Sequence, residues 1–276
     1  MIHLFPKLRN ELILSAAILL GMIAVFILVF PGAGPLVIVL FSLVGIAAIF
    51  FTQYSKAVNK HSSLLNILYN QMDAEGFLRE YTPLLKMPVK DRNIYLMLRL
   101  HMSNAYCALG RFDEAEDILH TIKAEPGKKP EDELLTRFAV VSNLCYCAEQ
   151  KNDVDTAKKY LDELIAIRKK LESMQEGKPQ KKRMAFSTEL NEQCYALLTG
   201  GKVNTEALKE QVQRSSQQLH RVTTSLWVAR ADLAQNNRKE AESILNQIVK
   251  LAPHLYPGKV AADLLAQLPA KAEKKD

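Results

Sequence analysis

The pattern of apolar and polar positions divides the chain into two parts. Residues 12–30 form an apolar run of 19, residues 35–51 form a second run of 17, and no charged residue lies between Leu12 and Phe51. A helix needs roughly 20 residues to cross a hydrocarbon core of about 30 Å, so each run just reaches across. The sequence therefore predicts a transmembrane helical hairpin over residues 12–51.

The connection between the two runs is the short segment 31–34, which reads Pro-Gly-Ala-Gly. Pro and Gly lower helix propensity, and Gly gives the backbone the freedom that a reversal requires. A cleaved signal peptide is the alternative, because Lys7 and Arg9 precede an apolar stretch as an n-region precedes an h-region. We favour the uncleaved hairpin, because the first run exceeds a usual h-region and a second run follows at once.

Basic residues flank the two ends of the hairpin that lie away from its loop. Lys7 and Arg9 precede the first run, Lys56 and Lys60 follow the second, and the loop has none. Lys and Arg in short flanks are retained in the cytoplasm. We therefore expect a multi-pass protein of the inner or plasma membrane, with residues 1–11 and the C-terminus both cytoplasmic. A bacterial inner-membrane protein fits this organisation.

From residue 62 onwards the apolar residues recur at the three- and four-residue spacing of helices. The clearest stretch is 98–126, where Gly110 separates two stripes. The first consists of Leu98, Met102, Ala105, Tyr106 and Leu109, and the second of Ala115, Ile118, Leu119 and Ile122. The second stripe returns at residues 241–248 and more loosely at 157–164, which indicates internal repeats.

These repeated stripes resemble the tetratricopeptide repeat family, whose unit is a helix-turn-helix of about 34 residues. The family's positions are filled by Met102, Ser103, Tyr106, Ala115 and Leu119, by Leu144, Cys145, Ala157 and Leu161, and by Val228, Ala229, Ala241, Leu245 and Pro253. The family's leading aromatic residue is replaced by Arg99, Val141 and Ser225. The resemblance is therefore to degenerate repeats.

Two further helix pairs complete the expected domain organisation. One joins residues 63–73 to 75–85 near Gly76, and the other joins 184–198 to 205–216. With the resemblance, this implies an all-α fold containing a TPR-like α-solenoid of five hairpins. The expected segments are a juxtamembrane linker at 52–61, the repeat domain at 62–268 with a capping helix at 258–268, and a disordered tail at 269–276. An ordinary helical bundle is the alternative fold.

Charge and cysteine usage narrow the range of partners. Apart from Lys7, Arg9 and Glu11, the chain has 34 basic and 29 acidic residues, and the two signs alternate along most segments. A nucleic-acid reader would gather basic residues on one face, so no nucleic-acid partner is expected. The cysteines, Cys107, Cys145, Cys147 and Cys194, are irregularly spaced, which favours reduced core residues in a cytosolic domain.

Motifs that carry chemistry are missing from the sequence. The six histidines form no i, i+4 pair, and there is no HExxH, phosphate-binding loop or GxSxG motif. No enzyme activity, cofactor or metal site is therefore predicted. Residues 178–183 form a basic stretch, for which a solvated loop is favoured over attraction to anionic lipid.

The family resemblance implies a concave groove lined by the first helix of each unit. The matching positions are Leu100, Asn104, Cys107, Ser142, Tyr146, Glu149, Leu226, Arg230 and Leu233. Each of these residues serves equally well as an ordinary packing or solvated residue. We expect a membrane-anchored scaffold or adaptor that binds a protein or peptide in the groove and contacts the bilayer through the hairpin. The alternative is an accessory subunit of a membrane transport or secretion complex.

Overall fold

The computed structural model describes residues 2–32, 34–87, 91–122, 130–174 and 179–268. Within these ranges the regular structure is entirely helical, which confirms the all-α prediction. The helices are α1 (Pro6–Val29), α2 (Pro35–Tyr69), α3 (Ala74–Leu85), α4 (Arg92–Leu109), α5 (Phe112–His120), α6 (Pro130–Gln150), α7 (Val154–Met174), α8 (Pro179–Leu198), α9 (Thr205–Arg214), α10 (Gln218–Ala234), α11 (Arg238–Leu251) and α12 (Tyr256–Gln267), preceded by a 3-10 helix at Ile2–Leu4.

Helix α1 and the first half of α2 form an apolar pair, residues 6–51, which we call the N-terminal hairpin. Both helices are long and apolar enough to cross a membrane, and at most 6% of the residues in the apolar window of each helix are buried within the protein. The Phe26 and Phe41 rings stack across the pair with centroids 5.3 Å apart. A Cβ atom on Gly45 would lie 2.6 Å from Leu19 Cδ1, so the two helices approach closely there.

Helix α2 does not end where its apolar run ends. It continues without interruption to Tyr69, so the linker predicted at 52–61 is helical instead. No Gly or Pro interrupts this part of the chain, and Gln53, Ala57, His61 and Leu64 maintain a buried stripe at helical spacing. The change from apolar to polar composition marks a change of surroundings and not the end of the helix.

The N-terminal flank is also packed into the structure. Leu4 and Phe5 are buried in the same hydrophobic core as Leu68 of α2 and Phe77 of α3. The Lys60 ammonium group lies 5.0 Å from the centre of the Phe5 ring. The N-terminus and the domain that follows the hairpin therefore lie at the same end of the hairpin.

After the N-terminal hairpin, consecutive helices pack as pairs, α2 with α3, α4 with α5, α6 with α7, and α10 with α11. The predicted pair of 184–198 with 205–216 is not a packed pair, because the non-helical segment 199–204 separates the two helices. Helix α8 packs against α6 and α7 instead, and α9 packs against α10. The prediction that Gly76 joins the first pair is wrong. This glycine lies inside α3, where its N–H donates to Asp73 Oδ1 at 2.8 Å. Helix α8 begins at Pro179 instead of Met184. The capping helix is α12, which starts two residues before the predicted Gly258.

The C-terminal helices return to the N-terminal ones. Helix α10 contacts α2, and α12 contacts α4. The Tyr256 hydroxyl donates to the Gln150 carbonyl at 3.3 Å, and a Cβ atom on Gly110 would lie 2.6 Å from Tyr256 Cδ2. We call residues 52–268 the helical domain. Within it α4 contacts α6, α6 contacts α8, and α8 contacts α10.

Candidate binding chamber

A cavity of about 450 Å³ lies at the centre of the helical domain. Pockets that bind small ligands have volumes of roughly 300–1,000 Å³. We call this cavity the chamber. Its lining comes from α4, α6, α8, α9 and the loop after it, and α10, and includes Asn104, Cys107, Ala108, Ser142, Asn143, Tyr146, Glu149, Phe186, Ser187, Leu190, Asn191, Cys194, Gln211, Arg214, Ser215, Leu219, His220, Thr223, Thr224 and Trp227.

Five of the nine residues predicted from the repeat pattern line this chamber. They are Asn104, Cys107, Ser142, Tyr146 and Glu149. All five come from α4 and α6, the first helices of two consecutive pairs. The repeat register therefore selects the faces of these two helices that line the chamber.

The other four predicted residues lie outside the chamber lining. Leu226 is buried in the main core, Leu233 packs against that core, and Leu100 packs beside Phe112 and Ala115. The Arg230 guanidinium lies over the Trp227 ring, 4.7 Å from its centre.

Helix α10 presents a different face to the chamber from the one that the repeat pattern predicted. Because α10 also contacts α2, α11 and α12, the stripe of Leu226 and Leu233 is used for packing. Leu219, Thr223 and Trp227 face the chamber instead.

Glu149 places a carboxyl group deep in the chamber wall. The residue is 1% exposed, and its Oε1 accepts a hydrogen bond from Cys145 Sγ at 3.4 Å. No ion pair of Glu149 occurs among the described residues. Burial raises the pKa of this carboxyl well above its ordinary 4.5. Glu149 is therefore a hydrogen-bonding group rather than a fixed negative charge.

Gln211 is a chamber residue that the sequence patterns do not reveal. It is 3% exposed, and neither its amide nitrogen nor its amide oxygen has a hydrogen-bond partner in the described structure. It belongs to α9, which the repeat pattern places as the second helix of a pair but which packs against α10 in the structure. Only the burial of both ends of its amide distinguishes it from an ordinary surface glutamine.

A polar network connects the chamber wall to helix α2. Asn104 Nδ2 donates to the Tyr69 hydroxyl at 2.8 Å, and that hydroxyl lies 2.8 Å from His101 Nδ1. The Tyr69 ring also meets the His220 ring edge-on at 5.2 Å. Burial lowers the pKa of His101 to about 4, so its ring is neutral at physiological pH. The helix that leaves the N-terminal hairpin is thus hydrogen-bonded to a residue of the chamber wall.

The cysteines are free and buried, as the sequence predicts. Cys107 Sγ and Cys147 Sγ are 3.5 Å apart, whereas Cys145 Sγ points towards Glu149 and the Ala157 carbonyl. Burial raises the pKa of the Cys145 and Cys194 thiols, which keeps them protonated and unreactive. Within the described ranges no cluster of His, Cys, Asp and Glu could hold a metal ion.

Two predicted features lie wholly or partly outside the described residues. The tail at 269–276 is one of them, and Lys178 of the basic stretch is another. The backbone of residues 179–183 belongs to α8, so that part of the stretch is helical and not a loop.

No family model matches the chain, and neither a curated protein nor a solved structure matches it. The site must therefore be interpreted from its own chemistry. The chamber offers a buried amide, a buried carboxyl, several hydroxyl and amide groups, and the ring of the single tryptophan. This combination is suited to holding a polar ligand through hydrogen bonds and aromatic contact.

Proposed function

We propose that this protein is a membrane-tethered adaptor that binds a segment of a partner protein in its chamber. The observation that carries the proposal is the chamber itself, whose lining includes five of the residues that the repeat pattern selected. Paired helices arranged as degenerate TPR-like repeats commonly use their inner surface for recognition. The packed pairs α4 with α5, α6 with α7, and α10 with α11 support this architecture.

The proposed tether is the N-terminal hairpin, with both chain termini in the cytoplasm. Its apolar side chains are exposed, with Leu28 at 80% and Phe51 at 71%, as expected for residues that face lipid. Lys7 and Lys56 lie at the end of the hairpin where the helical domain packs, and Lys56 pairs with Glu11 at 3.1 Å. The positive-inside rule assigns that end to the cytoplasm. Tethering raises the effective concentration of the chamber for partners in the same membrane.

The test compares the neighbours of the protein in its native cells when the chamber is open or filled. A proximity-labelling enzyme is fused after Asp276, and Thr223→Phe is introduced to fill the chamber. Thr82→Phe on α3 is the matched control, because both threonine hydroxyls bond to the carbonyl four residues earlier and both residues are half-buried. Of these two threonines, Thr223 lines the chamber and Thr82 does not.

The proposal expects one or more labelled proteins to be lost with Thr223→Phe and retained with Thr82→Phe. Melting temperatures of the purified variants establish that both remain folded. An identical set of neighbours for wild type and the folded Thr223→Phe variant would contradict binding in the chamber.

A further inference from the structure

Gln211 differs from the other amide side chains of the chamber in its hydrogen bonding. Asn143 Nδ2 donates to the Ala139 carbonyl at 2.8 Å, and Asn191 Nδ2 donates to the Ser187 carbonyl at 2.7 Å. Both asparagines thus satisfy a donor within their own helix. Gln211 is more deeply buried than either asparagine but leaves its donor and its acceptor unused. Buried polar groups without partners are rare in proteins, and each one requires an explanation.

The charge of the chamber wall restricts the ligands that can satisfy this amide. Glu149 is held in its neutral form by burial. The Arg214 guanidinium is exposed and already pairs with Glu210 one turn earlier. The buried wall around Gln211 therefore has no unpaired charge among the described lining residues. A ligand with a net charge would lose its hydration without gaining an opposite charge in return.

The volume of the chamber restricts the ligand further. The chamber volume of 450 Å³ lies in the lower part of the range of roughly 300–1,000 Å³ that pockets for small ligands have. A few residues of peptide are a ligand of matching size.

We propose that the chamber recognises an uncharged main-chain amide of an extended segment, and that the side-chain amide of Gln211 pairs with it. A primary amide has a donor and an acceptor in one plane, which match the carbonyl and N–H of a peptide. The Glu149 carboxyl on α6 is a further hydrogen-bonding group of the lining. This inference rests on the proposed function and specifies the chemical group that is bound.

Trp227 provides a direct readout, because it is the only tryptophan of the chain and lines the chamber. The full-length protein in lipid nanodiscs is titrated with N-acetyl-alanine methylamide, a neutral compound with two peptide groups. Two matched probes carry a charge, namely N-acetyl-alanine, which is anionic, and alanine methylamide, which is cationic. Propionamide mimics the side chain of Asn or Gln and separates a side-chain source of the amide from a main-chain source.

The expected result is a saturable change of Trp227 fluorescence with the neutral diamide, at an affinity about tenfold above that of each other probe. Gln211→Leu should lower the affinity for the diamide about tenfold. Gln213→Leu, an exposed position on the same helix, should leave it unchanged. Four results would each overturn the proposal. They are the absence of a saturable fluorescence change with the diamide, an equal affinity for a charged probe, a higher affinity for propionamide, and an unaltered affinity of Gln211→Leu for the diamide.

This titration and the proximity-labelling test fail independently. Loss of diamide binding together with retained chamber-dependent neighbours would overturn the role of Gln211 alone. Normal diamide binding without any chamber-dependent neighbour would overturn the adaptor function alone.

Discussion

The Tyr69 hydroxyl is the point where a helix leaving the N-terminal hairpin is hydrogen-bonded to α4. It accepts a hydrogen bond from Asn104 and lies beside His101 Nδ1, and the residue is only 3% exposed. Tyr69→Phe would leave two polar groups without this partner in a partly buried site. We expect the free energy of unfolding to fall by about 1–3 kcal/mol, measured by chemical denaturation.

Tyr95→Phe is the control for this prediction. The Tyr95 hydroxyl also makes a hydrogen bond, to the Thr121 carbonyl at 3.1 Å, but at an exposed site. Water can replace that bond, so its loss should change the free energy of unfolding by no more than about 0.5 kcal/mol. Equal effects of the two substitutions would show that the network around Tyr69 does not stabilise the fold.

Glu149 makes stability depend on pH in a direction opposite to that of most carboxylates. Because its folded-state pKa is raised above 4.5, the folded protein keeps a proton that the unfolded chain has released. Its contribution to stability is full below pH 4.5 and is lost as the pH rises towards the folded-state pKa.

The free energy of unfolding of wild type, minus that of Glu149→Gln, should therefore decrease as the pH rises above 4.5. The expected slope is up to about 1.4 kcal/mol per pH unit, measured by urea denaturation across a pH series. Glu240→Gln, at an exposed position of α11, serves as the control. A difference that does not vary with pH would show that Glu149 is ionised in the folded protein.

At the scale of elements, the contact between α12 and the turn after α4 holds the C-terminal end of the domain in place. Gly110 has a φ of +78°, and a Cβ atom there would overlap the Tyr256 ring. Gly200 has a similar φ of +70°, but nothing lies within 4 Å of its added Cβ. Both glycines have a positive φ, which other residues adopt only at a cost in free energy. Comparing the same substitution at the two positions therefore isolates the steric effect of the Tyr256 ring.

Gly110→Ala should therefore lower the melting temperature more than Gly200→Ala does. We expect about 1 kcal/mol of destabilisation from Gly200→Ala and a further 1–3 kcal/mol for Gly110→Ala, because of overpacking. Thermal unfolding of the two variants provides the measurement. Equal melting temperatures would mean that α12 does not pack on this turn.

The helices could be predicted from the sequence because their apolar stripes are local. The stripes of 98–109 and 112–120 follow from three- and four-residue spacing, and Gly110 adopts the left-handed conformation that ends many helices. The continuity of α2 through 52–61 does not follow from the sequence pattern, because the change in polarity there resembles the boundary between a membrane segment and a linker. The position of Gly76 was missed because Asp73 caps α3 and places this glycine within the first turn.

The chamber could be predicted only in part for a related reason. Asn104 and Tyr146 follow from the register of one repeat, which is local information. The return of α10 to α2 joins residues that are about 150 positions apart, such as Tyr69 and His220, and no local pattern specifies it. Gln211 on α9 lines the chamber together with residues of α4, α6, α8 and α10, and no local pattern specifies that juxtaposition either.

At the scale of the whole molecule, three connections fix the helical domain to the N-terminal hairpin. Helix α2 runs unbroken from one to the other, Leu4 and Phe5 pack into the domain core, and Glu11 pairs with Lys56 beside the junction. A flexible linker would let the domain explore a large volume near the membrane. The continuous helix instead joins the helical domain to the N-terminal hairpin without a flexible segment.

The central claim is that the N-terminal hairpin spans the membrane and holds the helical domain on its cytoplasmic side. Gly32→Cys in the hairpin loop and Lys202→Cys in the domain place single accessible thiols at exposed positions. The four native cysteines are buried and give little background. Each variant is treated with a membrane-impermeant maleimide in intact cells and again after permeabilisation. The predicted result is that Gly32→Cys is labelled in intact cells and that Lys202→Cys is labelled only after permeabilisation. The reverse pattern, or labelling of both variants in intact cells, would contradict the account.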